Sequence, residues 1–464
     1  MTLRPLRGRR SELARLQKAV DHGANGRPQL VVVAGARRVG KTFLLHHLLD
    51  KVPDGVTPIY FEATQGGERD QLRRFGEAMS AALGADAPPL GTASTWERAI
   101  ASCAYIARRR PLVVVLDEAT YLMSSTPGFT SMVKSEWDRL VVTAENVALT
   151  LILTGSAVGL IEDALDHKGP LYGRPTDVLR LKPFAAAEAS VFCGHPDPVA
   201  LFEAYAACGG YPLHLDAWDF EQSTEDNMLR LAGQPGGVLL EDADLLLATL
   251  PEAHRRVLIA VGQGRARRSE ILNETGQRID RPLEALLRAR FVRAATPLGA
   301  PLKARPEYRV DDAYLRFWFR VLSNGVQRIE AGQGAAVLQH TAGEWQVHLG
   351  WTFEQAAREH AAHLVASGEL PAGAQVDEWW TSTGEPCQID VLGLLGHRTV
   401  LAGEAKWQRQ PLGAAVLDDL ARKLRQAPNP VPQPGLLLWG RGGVRPEIQV
   451  GAVRGFGPTE MLRR

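Results

Sequence analysis

Short apolar runs alternate with segments of helical periodicity through the first part of the chain. The runs begin near Leu30, Pro58, Leu112 and Leu149. Continuous apolar runs are typical of strands that are buried on both faces, and strands separated by helices form parallel sheets. The pattern therefore predicts an α/β fold with a mostly parallel sheet up to about Pro183.

The pattern changes after this sheet. Helical periodicity from 183 to about 244, interrupted by Gly209-Gly210-Tyr211-Pro212, predicts a small helical lid. The next segment has the spacing of a winged helix-turn-helix. Its three helices and the start of its wing are predicted over residues 257–264, 268–276, 279–288 and 291–296. Such a module either packs structurally against an ATPase domain or reads DNA, in which case its third helix presents Arg278, Arg281 and Arg288 to a groove.

The last third of the chain is rich in tryptophan, since seven of the ten tryptophans lie from Trp318 onward. This shift marks a separate domain that begins near Tyr308 with an aromatic-rich helix. Its elements follow the order helix, three strands, helix, strand, and Ala427–Gly435 is read as a proline-rich loop. They are predicted over 351–365, 375–382, 387–395, 399–407, 412–426 and 435–440. The predicted domains are 1–182, 183–250, 251–307 and 308–464.

Composition narrows the class of protein. The chain has 464 residues, which is too long for one core, and a net charge of +1, so that any DNA contact must come from a local patch. Its four cysteines are far apart in sequence, which argues against a zinc site or a disulfide framework and fits a reducing cytosol. We expect a cytoplasmic protein with no membrane span. DNA and a homo-oligomeric copy of the chain are the candidate partners.

A phosphate-binding loop follows the first apolar run. Gly35 to Thr42 reads GARRVGKT, a full G-x-x-x-x-G-K-T match followed by a helical pattern. Two glycines let the loop curl around phosphate, Lys41 reaches the β- and γ-phosphates, and the Thr42 hydroxyl ligates Mg²⁺. The alternative is a glycine-rich turn between a core strand and a core helix. The predicted ATP contacts are Gly35, Ala36, Arg37, Arg38, Val39, Gly40, Lys41, Thr42 and Phe43.

A pair of carboxylates ends the third apolar run. We expect Asp117 to hold Mg²⁺ through its water shell and Glu118 to deprotonate the attacking water. The alternative is that the two acids simply begin the next helix.

Two further groups are candidates for contact with the γ-phosphate. The fourth apolar run ends in Thr154 and Ser156, at the strand end that faces the nucleotide in a doubly wound sheet. Arg174 could act on the γ-phosphate in cis or from a neighbouring subunit, or be a surface arginine.

A second group of charged residues lies in the C-terminal part. Asp390 is in one predicted strand and Glu404-Ala405-Lys406 in the next, so that Glu404 and Lys406 share one face. If these strands pair, Asp390 falls close to that face. Two carboxylates and a lysine suit a divalent metal. The element order matches the core of PD-(D/E)xK nucleases, a restriction-endonuclease-like fold, in which Glu354 would be the usual helical carboxylate. An ordinary strand pair with surface charges is the alternative.

Several stretches together resemble the prokaryotic, archaeal-type P-loop ATPases (AAA/STAND-like) that carry a C-terminal DUF234 domain. They are GARRVGKT, VVVLDEATYL, LILTGSAVGLIED, GPLYGR with LRLKPF, GGYP, FWF, EWW, QIDVLGL and GEAKW. The resemblance implies a nucleotide switch joined to a nuclease-like effector. The sequence departs from the family pattern at Gln388, where an acid is frequent, and at Ala119-Thr120, where Phe-Gln is frequent.

The segment Gly8–His22 precedes the phosphate loop and has helical spacing, with Ser11 as its expected N-cap. Its GRRSEL opening resembles the start of AAA-type ATPases, which implies a position over the adenine. The alternative is an amphipathic packing helix.

Three functions compete on these observations. The first is an ATPase whose nucleotide state gates DNA binding or cleavage by the C-terminal domain. The second is a STAND-type signalling switch with a C-terminal domain that binds a partner and cuts nothing. The third is a DNA-binding regulator that works through the winged helix, which the near-neutral charge disfavours. The first is our expectation.

Overall fold

The computed structural model describes residues 4–87, 94–142, 146–193, 197–248, 250–301, 303–381 and 386–462. It divides into two compact units, 1–182 and 183–464.

The first unit is built on a parallel sheet. Its strands are β1 (Gln29–Gly35), β2 (Thr57–Glu62), β3 (Leu112–Asp117), β4 (Leu149–Gly155) and β5 (Asp177–Leu181). They lie in the order β2-β3-β4-β1-β5, and all four neighbouring pairs are parallel. Every residue of β3 and β4 is buried, which explains why these strands appear in the sequence as continuous apolar runs. The predicted α/β class is confirmed.

Helices cover this sheet. They are α1 (Arg10–Ala24), α2 (Lys41–Leu49), α3 (Glu68–Leu83), α4 (Trp96–Ala107), α5 (Thr120–Ser125), α6 (Phe129–Val142) and α7 (Val158–Leu165). Trp96 of α4 is fully buried and contacts the rings of Phe61, Phe75 and Phe129. This aromatic cluster fixes α3, α4 and α6 on one face of the sheet.

The predicted N-cap of α1 is wrong. The helix begins one residue before Ser11, and the residue at the cap position is Arg9, with a left-handed φ of 56°. The Ser11 hydroxyl instead donates to the Glu12 carboxylate at 2.7 Å. The Arg9 guanidinium is buried and donates to the carbonyl oxygens of Val39 and Lys182, and these contacts set the start of the helix in place of a hydroxyl cap.

The second unit begins with short helices. They are α8 (Ala186–Ala189), α9 (Pro198–Cys208), α10 (Pro212–Ala217), α11 (Thr224–Leu231) and α12 (Val238–Ala248). The Gly209-Gly210-Tyr211-Pro212 segment separates α9 from α10. A Cβ on Gly210 would lie 1.9 Å from the carbonyl oxygen of Phe184, so the chain turns there by close backbone contact.

Three helices and a hairpin follow. They are α13 (Glu252–Gly262), α14 (Arg268–Thr275), α15 (Asp280–Arg288), β6 (Val292–Ala295) and β7 (Glu307–Val310), and the two strands pair antiparallel. The domain boundary that we expected at 307/308 falls inside this hairpin. The aromatic-rich segment that begins at Tyr308 therefore starts within strand β7, and its helix begins only at Ala313.

The remainder is a mixed sheet with helices. Its elements are α16 (Ala313–Phe317), α17 (Val326–Glu330), α18 (Gly334–His340), α19 (Ala342–Ala366), β8 (Gln375–Thr381), β9 (Cys387–Leu395), β10 (Arg398–Lys406), α20 (Ala414–Leu424), β11 (Pro430–Gly440), β12 (Val453–Phe456) and α21 (Pro458–Met461). The strand order is β12-β11-β10-β9-β8. Strands β8, β9 and β10 pair antiparallel, whereas β10, β11 and β12 pair parallel. No helix in the described part of the chain is long and apolar enough to cross a bilayer.

The prediction that the whole proline-rich stretch is a loop is wrong. Strand β11 already begins at Pro430, within Ala427–Gly435. β12 pairs only with residues 436–439 of β11, and the pairing with β10 is irregular between Pro430 and Gly435. Prolines are therefore tolerated, because the ladder does not need their missing N–H groups there.

Candidate functional site

The residues after β1 form a tight loop that leads directly into α2. A side chain on Gly35 would place its Cβ 2.6 Å from the carbonyl oxygen of Leu181. Gly40 has a φ of 90° and immediately precedes Lys41, the first residue of α2. Both positions require glycine for these reasons. A loop that ends at a helix N-terminus in this way is suited to binding phosphate.

Lys41 is the buried cation of this loop. Its Nζ donates to the carbonyl oxygens of Gly35 at 2.9 Å and Ala36 at 3.2 Å, and to the Ser156 hydroxyl at 2.7 Å. Burial lowers the pKa of Lys41, against the opposing effect of the nearby carboxylates of Glu118 and Asp117. An ammonium group held inside a phosphate loop can neutralise the charge on the terminal phosphates.

The Asp117 carboxylate is fully buried and held from both sides. Its Oδ2 accepts from the hydroxyls of Thr42 and Tyr60, both at 2.8 Å. Its Oδ1 accepts from the Thr154 hydroxyl and, at 3.0 Å, from the Glu118 backbone N–H. Because the Thr42 residue is exposed while Asp117 is not, the pair offers a hydroxyl and a carboxylate oxygen at the mouth of the loop. Such oxygens are the ligands that Mg²⁺ prefers.

Glu118 is held in an unusual backbone conformation next to this carboxylate. Its φ is 52°, a left-handed value that costs a non-glycine residue about 1 kcal/mol or more. Its carboxylate accepts from the Ser156 backbone N–H at 3.0 Å and from the Ser156 hydroxyl. It also lies 3.7 Å from Lys41 Nζ. A carboxylate whose backbone is strained and which lies beside the phosphate loop is a candidate general base.

The second charged group lies where β9 and β10 pair. Asp390 Oδ2 accepts from the Ala405 backbone N–H at 3.0 Å and from Lys406 Nζ at 3.2 Å. Lys406 Nζ also donates to Glu404 Oε2 at 2.6 Å, and Lys423 of α20 donates to the other oxygen of Glu404. Asp390 and Glu404 are buried, while Lys406 is partly exposed. The register therefore brings the three predicted residues together.

Helix α19 supplies two more charges to this group. The Arg358 guanidinium is buried and donates to the Asp390 carbonyl oxygen at 3.1 Å. Burial and the Asp390 carboxylate raise the pKa of Glu354. The same two causes raise the pKa of Glu404. Burial alone would lower the pKa of Lys406, but the Asp390 and Glu404 carboxylates outweigh it and raise that pKa.

Two protein-family models match the chain. The AAA ATPase domain matches residues 5–133, and DUF234, described as archaeal and bacterial proteins of unknown function, matches residues 318–418. The chain therefore joins an AAA ATPase domain to a DUF234 domain. An uncharacterized protein of Methanocaldococcus jannaschii is 26% identical over 86% of this chain and 87% of its own length.

Solved structures resemble the chain at the level of the fold. A Walker-type ATPase of Pyrococcus abyssi is 21% identical, with a TM-score of 0.50 over 69% of this chain and 99% of its own. The ORC2 protein of Aeropyrum pernix, determined as ADPNP and ADP complexes, is 13% identical, with a TM-score of 0.44 over 74% of this chain and 97% of its own. The likeness to the Pyrococcus abyssi protein is one of fold, and it agrees with the P-loop fold of the AAA ATPase domain.

Two candidates for contact with the γ-phosphate, Thr154 and Arg174, have other partners in the structure. Thr154 is fully buried and its hydroxyl contacts Asp117, so it positions that carboxylate. Arg174 contacts the Asp138 carboxylate at 3.2 Å and the Tyr172 carbonyl oxygen, and no contact joins it to the loop in the described residues. Its action on a neighbouring copy, and the homo-oligomer itself, stay predictions.

The other loop residues differ in what they offer. Arg37 and Phe43 are exposed, Arg38 is partly buried with a φ of 71°, and Val39 is fully buried. Val39 therefore belongs to the core, and only its backbone is available to a nucleotide.

The three predicted carboxylates of the DUF234 domain do not form a metal centre as expected. Within the described residues, no group of three or more His, Cys, Asp or Glu side chains is placed to hold a metal ion. Lys406 and Lys423 instead contact the two oxygens of Glu404. Asp390 and Glu404 remain as a pair that could hold a cation in place of Lys406.

The sequence analysis missed two contacts at these sites. Tyr60 is in the edge strand β2 and contacts Asp117, but a tyrosine in a strand is ordinary and gives no sequence signal. Lys423 lies on α20 and contacts Glu404. It has no sequence signal, because only the folded sheet brings α20 to β10.

Proposed function

We propose that the AAA ATPase domain uses Mg²⁺ with ATP, and that its nucleotide state controls a nuclease-like DUF234 domain that acts on or binds DNA. The observation that carries the second part is the position of Lys406, within hydrogen-bond distance of both Asp390 and Glu404. A lysine beside two buried carboxylates suits hydrolysis of a phosphodiester.

The AAA ATPase domain contributes its own residues to each part of ATP hydrolysis. Lys41 exchanges its carbonyl contacts for the phosphates, and Glu118 accepts the proton of the attacking water. Ser156 contacts both, so we assign to it the sensing of the γ-phosphate. Thr42 and Asp117 would hold Mg²⁺, which when bound neutralises charge on the phosphates.

In the DUF234 domain, Asp390 and Glu404 would hold a divalent cation and Lys406 would contact the scissile phosphate. Glu354 lies close enough to Asp390 for the two charges to interact. A cation at this place would relieve the repulsion between the Asp390 and Glu404 carboxylates. Lys406, which contacts both, has the same effect.

The element order of α13 to α15 followed by the antiparallel β6–β7 hairpin supports a winged-helix assignment, and Arg278 and Arg281 are exposed. Arg288 is also exposed but pairs with Glu284 at 2.7 Å. We propose that DNA is contacted by the α15 face. The hairpin is already engaged, because Arg293 and Arg309 contact Glu378 of β8.

The alternative is a STAND-type switch whose DUF234 domain binds a partner and does not cleave. One observation favours it: two lysines bind both oxygens of Glu404, which leaves this carboxylate satisfied without a metal.

A cleavage assay separates the two functions. Supercoiled plasmid is incubated with Mg²⁺ or Mn²⁺ and ATP, with the wild type, Asp390→Asn, and Asp418→Asn as a control at an exposed carboxylate of α20. We expect nicking by the wild type and Asp418→Asn, and at least about a hundredfold less by Asp390→Asn. Equal nicking by Asp390→Asn, or none by the wild type in either metal, contradicts the nuclease proposal.

A further inference from the structure

Tyr60 has a position that neither the phosphate-loop motif nor the acid pair accounts for. It lies on β2 opposite Val115 of β3, two residues before Asp117. Its ring packs against His46 of α2, with 4.7 Å between centroids. Its hydroxyl donates to Asp117 Oδ2 at 2.8 Å. The side chain therefore connects the helix that follows the phosphate loop with the buried carboxylate.

The two oxygens of Asp117 have different neighbours. Oδ1 accepts from the Thr154 hydroxyl of β4 and from the backbone N–H of the next residue, Glu118. Oδ2 is directed at the phosphate loop, where it accepts from Thr42 and Tyr60. Oδ2 is consequently the oxygen that faces the place where a magnesium ion is expected.

The two donors to Oδ2 are not equivalent. The Thr42 hydroxyl would become a metal ligand through an oxygen lone pair, and would divide its contacts between the metal and Asp117. The Tyr60 hydroxyl is attached to a rigid ring and can keep its contact. We propose that Tyr60 is a positioning residue of the ATPase site, whose hydroxyl holds Asp117 Oδ2 toward the metal and its water shell.

This inference rests on the proposed use of Mg²⁺. A phenolic O–H donates to a carboxylate, and the contact from the Tyr60 hydroxyl to Asp117 Oδ2 has this direction. Groups that orient a metal ligand in this way contribute to metal affinity although they do not touch the metal.

The hydroxyl and the ring can be tested separately. Tyr60→Phe keeps the packing on His46 and removes only the hydrogen bond. Tyr105→Phe is the matched control, since Tyr105 is an exposed residue of α4 whose hydroxyl accepts from Arg109 at 3.1 Å. The measurement is the affinity for a fluorescent, non-hydrolysable ATP analogue, once with excess Mg²⁺ and once with EDTA. The ratio of the two affinities reports the contribution of the metal.

We expect the ratio to fall about tenfold in Tyr60→Phe, with the affinity in EDTA equal to that of the wild type. Tyr105→Phe keeps the wild-type ratio. An unchanged ratio in Tyr60→Phe would overturn the proposal. An equal loss of affinity with and without Mg²⁺ would also overturn it, because the hydroxyl would then support the fold or the nucleotide. No gain from Mg²⁺ in the wild type would overturn the use of magnesium itself, and this inference with it.

Discussion

At the scale of single residues, Glu118 is the proposed general base of ATP hydrolysis. Its carboxylate is held by Ser156 and lies beside Lys41, at a strained φ. In Glu118→Gln the amide cannot accept the proton of water. We expect the hydrolysis rate to fall about 10²–10⁴-fold while ATP still binds. Phosphate release and nucleotide binding are measured on the same preparations.

The control for this variant is Glu162→Gln. Glu162 is a carboxylate of the same domain that pairs with Arg180 at 2.7 Å. A surface pair contributes little, so turnover is expected to stay within about twofold of the wild type. Full activity in Glu118→Gln, or an equal loss in both variants, contradicts the assignment of Glu118 as the base.

The sequence identifies residues well where spacing along the chain dictates contact. Lys41, Thr42 and Asp117 meet because the parallel strands β1 and β3, with β4 between them, end at the same edge of the sheet. Tyr60 and Lys423 could not be found in this way. Each reaches its partner through the packing of elements that are distant in sequence, and a tyrosine in a strand or a lysine on a helix is ordinary in isolation.

At the scale of elements, the β6–β7 hairpin is fixed to the edge strand β8 by one buried carboxylate. Glu378 is 2% exposed and accepts from Arg293 at 2.6 Å and Arg309 at 2.7 Å. Its backbone carbonyl also accepts from the Leu298 N–H. Glu378→Gln removes the buried carboxylate that Arg293 and Arg309 share, and leaves them only the Asp311 and Glu307 carboxylates. We expect the free energy of unfolding to fall by about 3 kcal/mol, measured by denaturant titration.

The effect should depend on pH in a defined direction. Burial opposes ionisation of Glu378, but Arg293, Arg358 and Arg309 outweigh it and lower its pKa below the ordinary 4.5. A lowered carboxylate pKa contributes stability that is present above about pH 4.5 and is lost as the pH falls toward the lowered value. The difference between wild type and Glu378→Gln should therefore shrink in acid.

Glu369→Gln provides the comparison for this element. Glu369 forms an exposed pair with Arg454 at 3.1 Å, so its replacement is expected to leave the free energy of unfolding close to that of the wild type. A loss in Glu378→Gln as small as in Glu369→Gln would mean that the hairpin is not held by this carboxylate.

Elements were predictable where their periodicity is strong, and less so where pairing decides. The parallel sheet and the α13–α15 helices follow from local pattern. Strand β11 begins among prolines because irregular pairing with β10 frees it from donating there. The sequence places β7 in the next domain because the aromatic-rich run looks continuous. The pairing of β7 with β6 is visible only in the folded structure.

At the scale of the whole molecule, the proposed control of the DUF234 domain by ATP is a coupling between two ligands. If nucleotide changes the affinity for DNA by some factor, DNA must change the affinity for nucleotide by the same factor. We expect a non-hydrolysable ATP analogue to change the affinity for a DNA duplex about fivefold or more, and the duplex to change the analogue affinity equally. Both constants are measured by fluorescence anisotropy with labelled duplex and labelled analogue.

Two variants locate the origin of this coupling. Lys41→Ala removes the phosphate-loop cation, and its affinity for DNA should be the same with and without the analogue. Lys18→Ala, an exposed lysine of α1, should behave as the wild type. Thermodynamics requires the effect of the analogue on DNA affinity to equal the effect of DNA on analogue affinity. Unequal factors would therefore mean that one of the two measurements includes a second process. Equal factors of one in the wild type would mean that the two domains act independently, and that the nucleotide does not control the C-terminal domain.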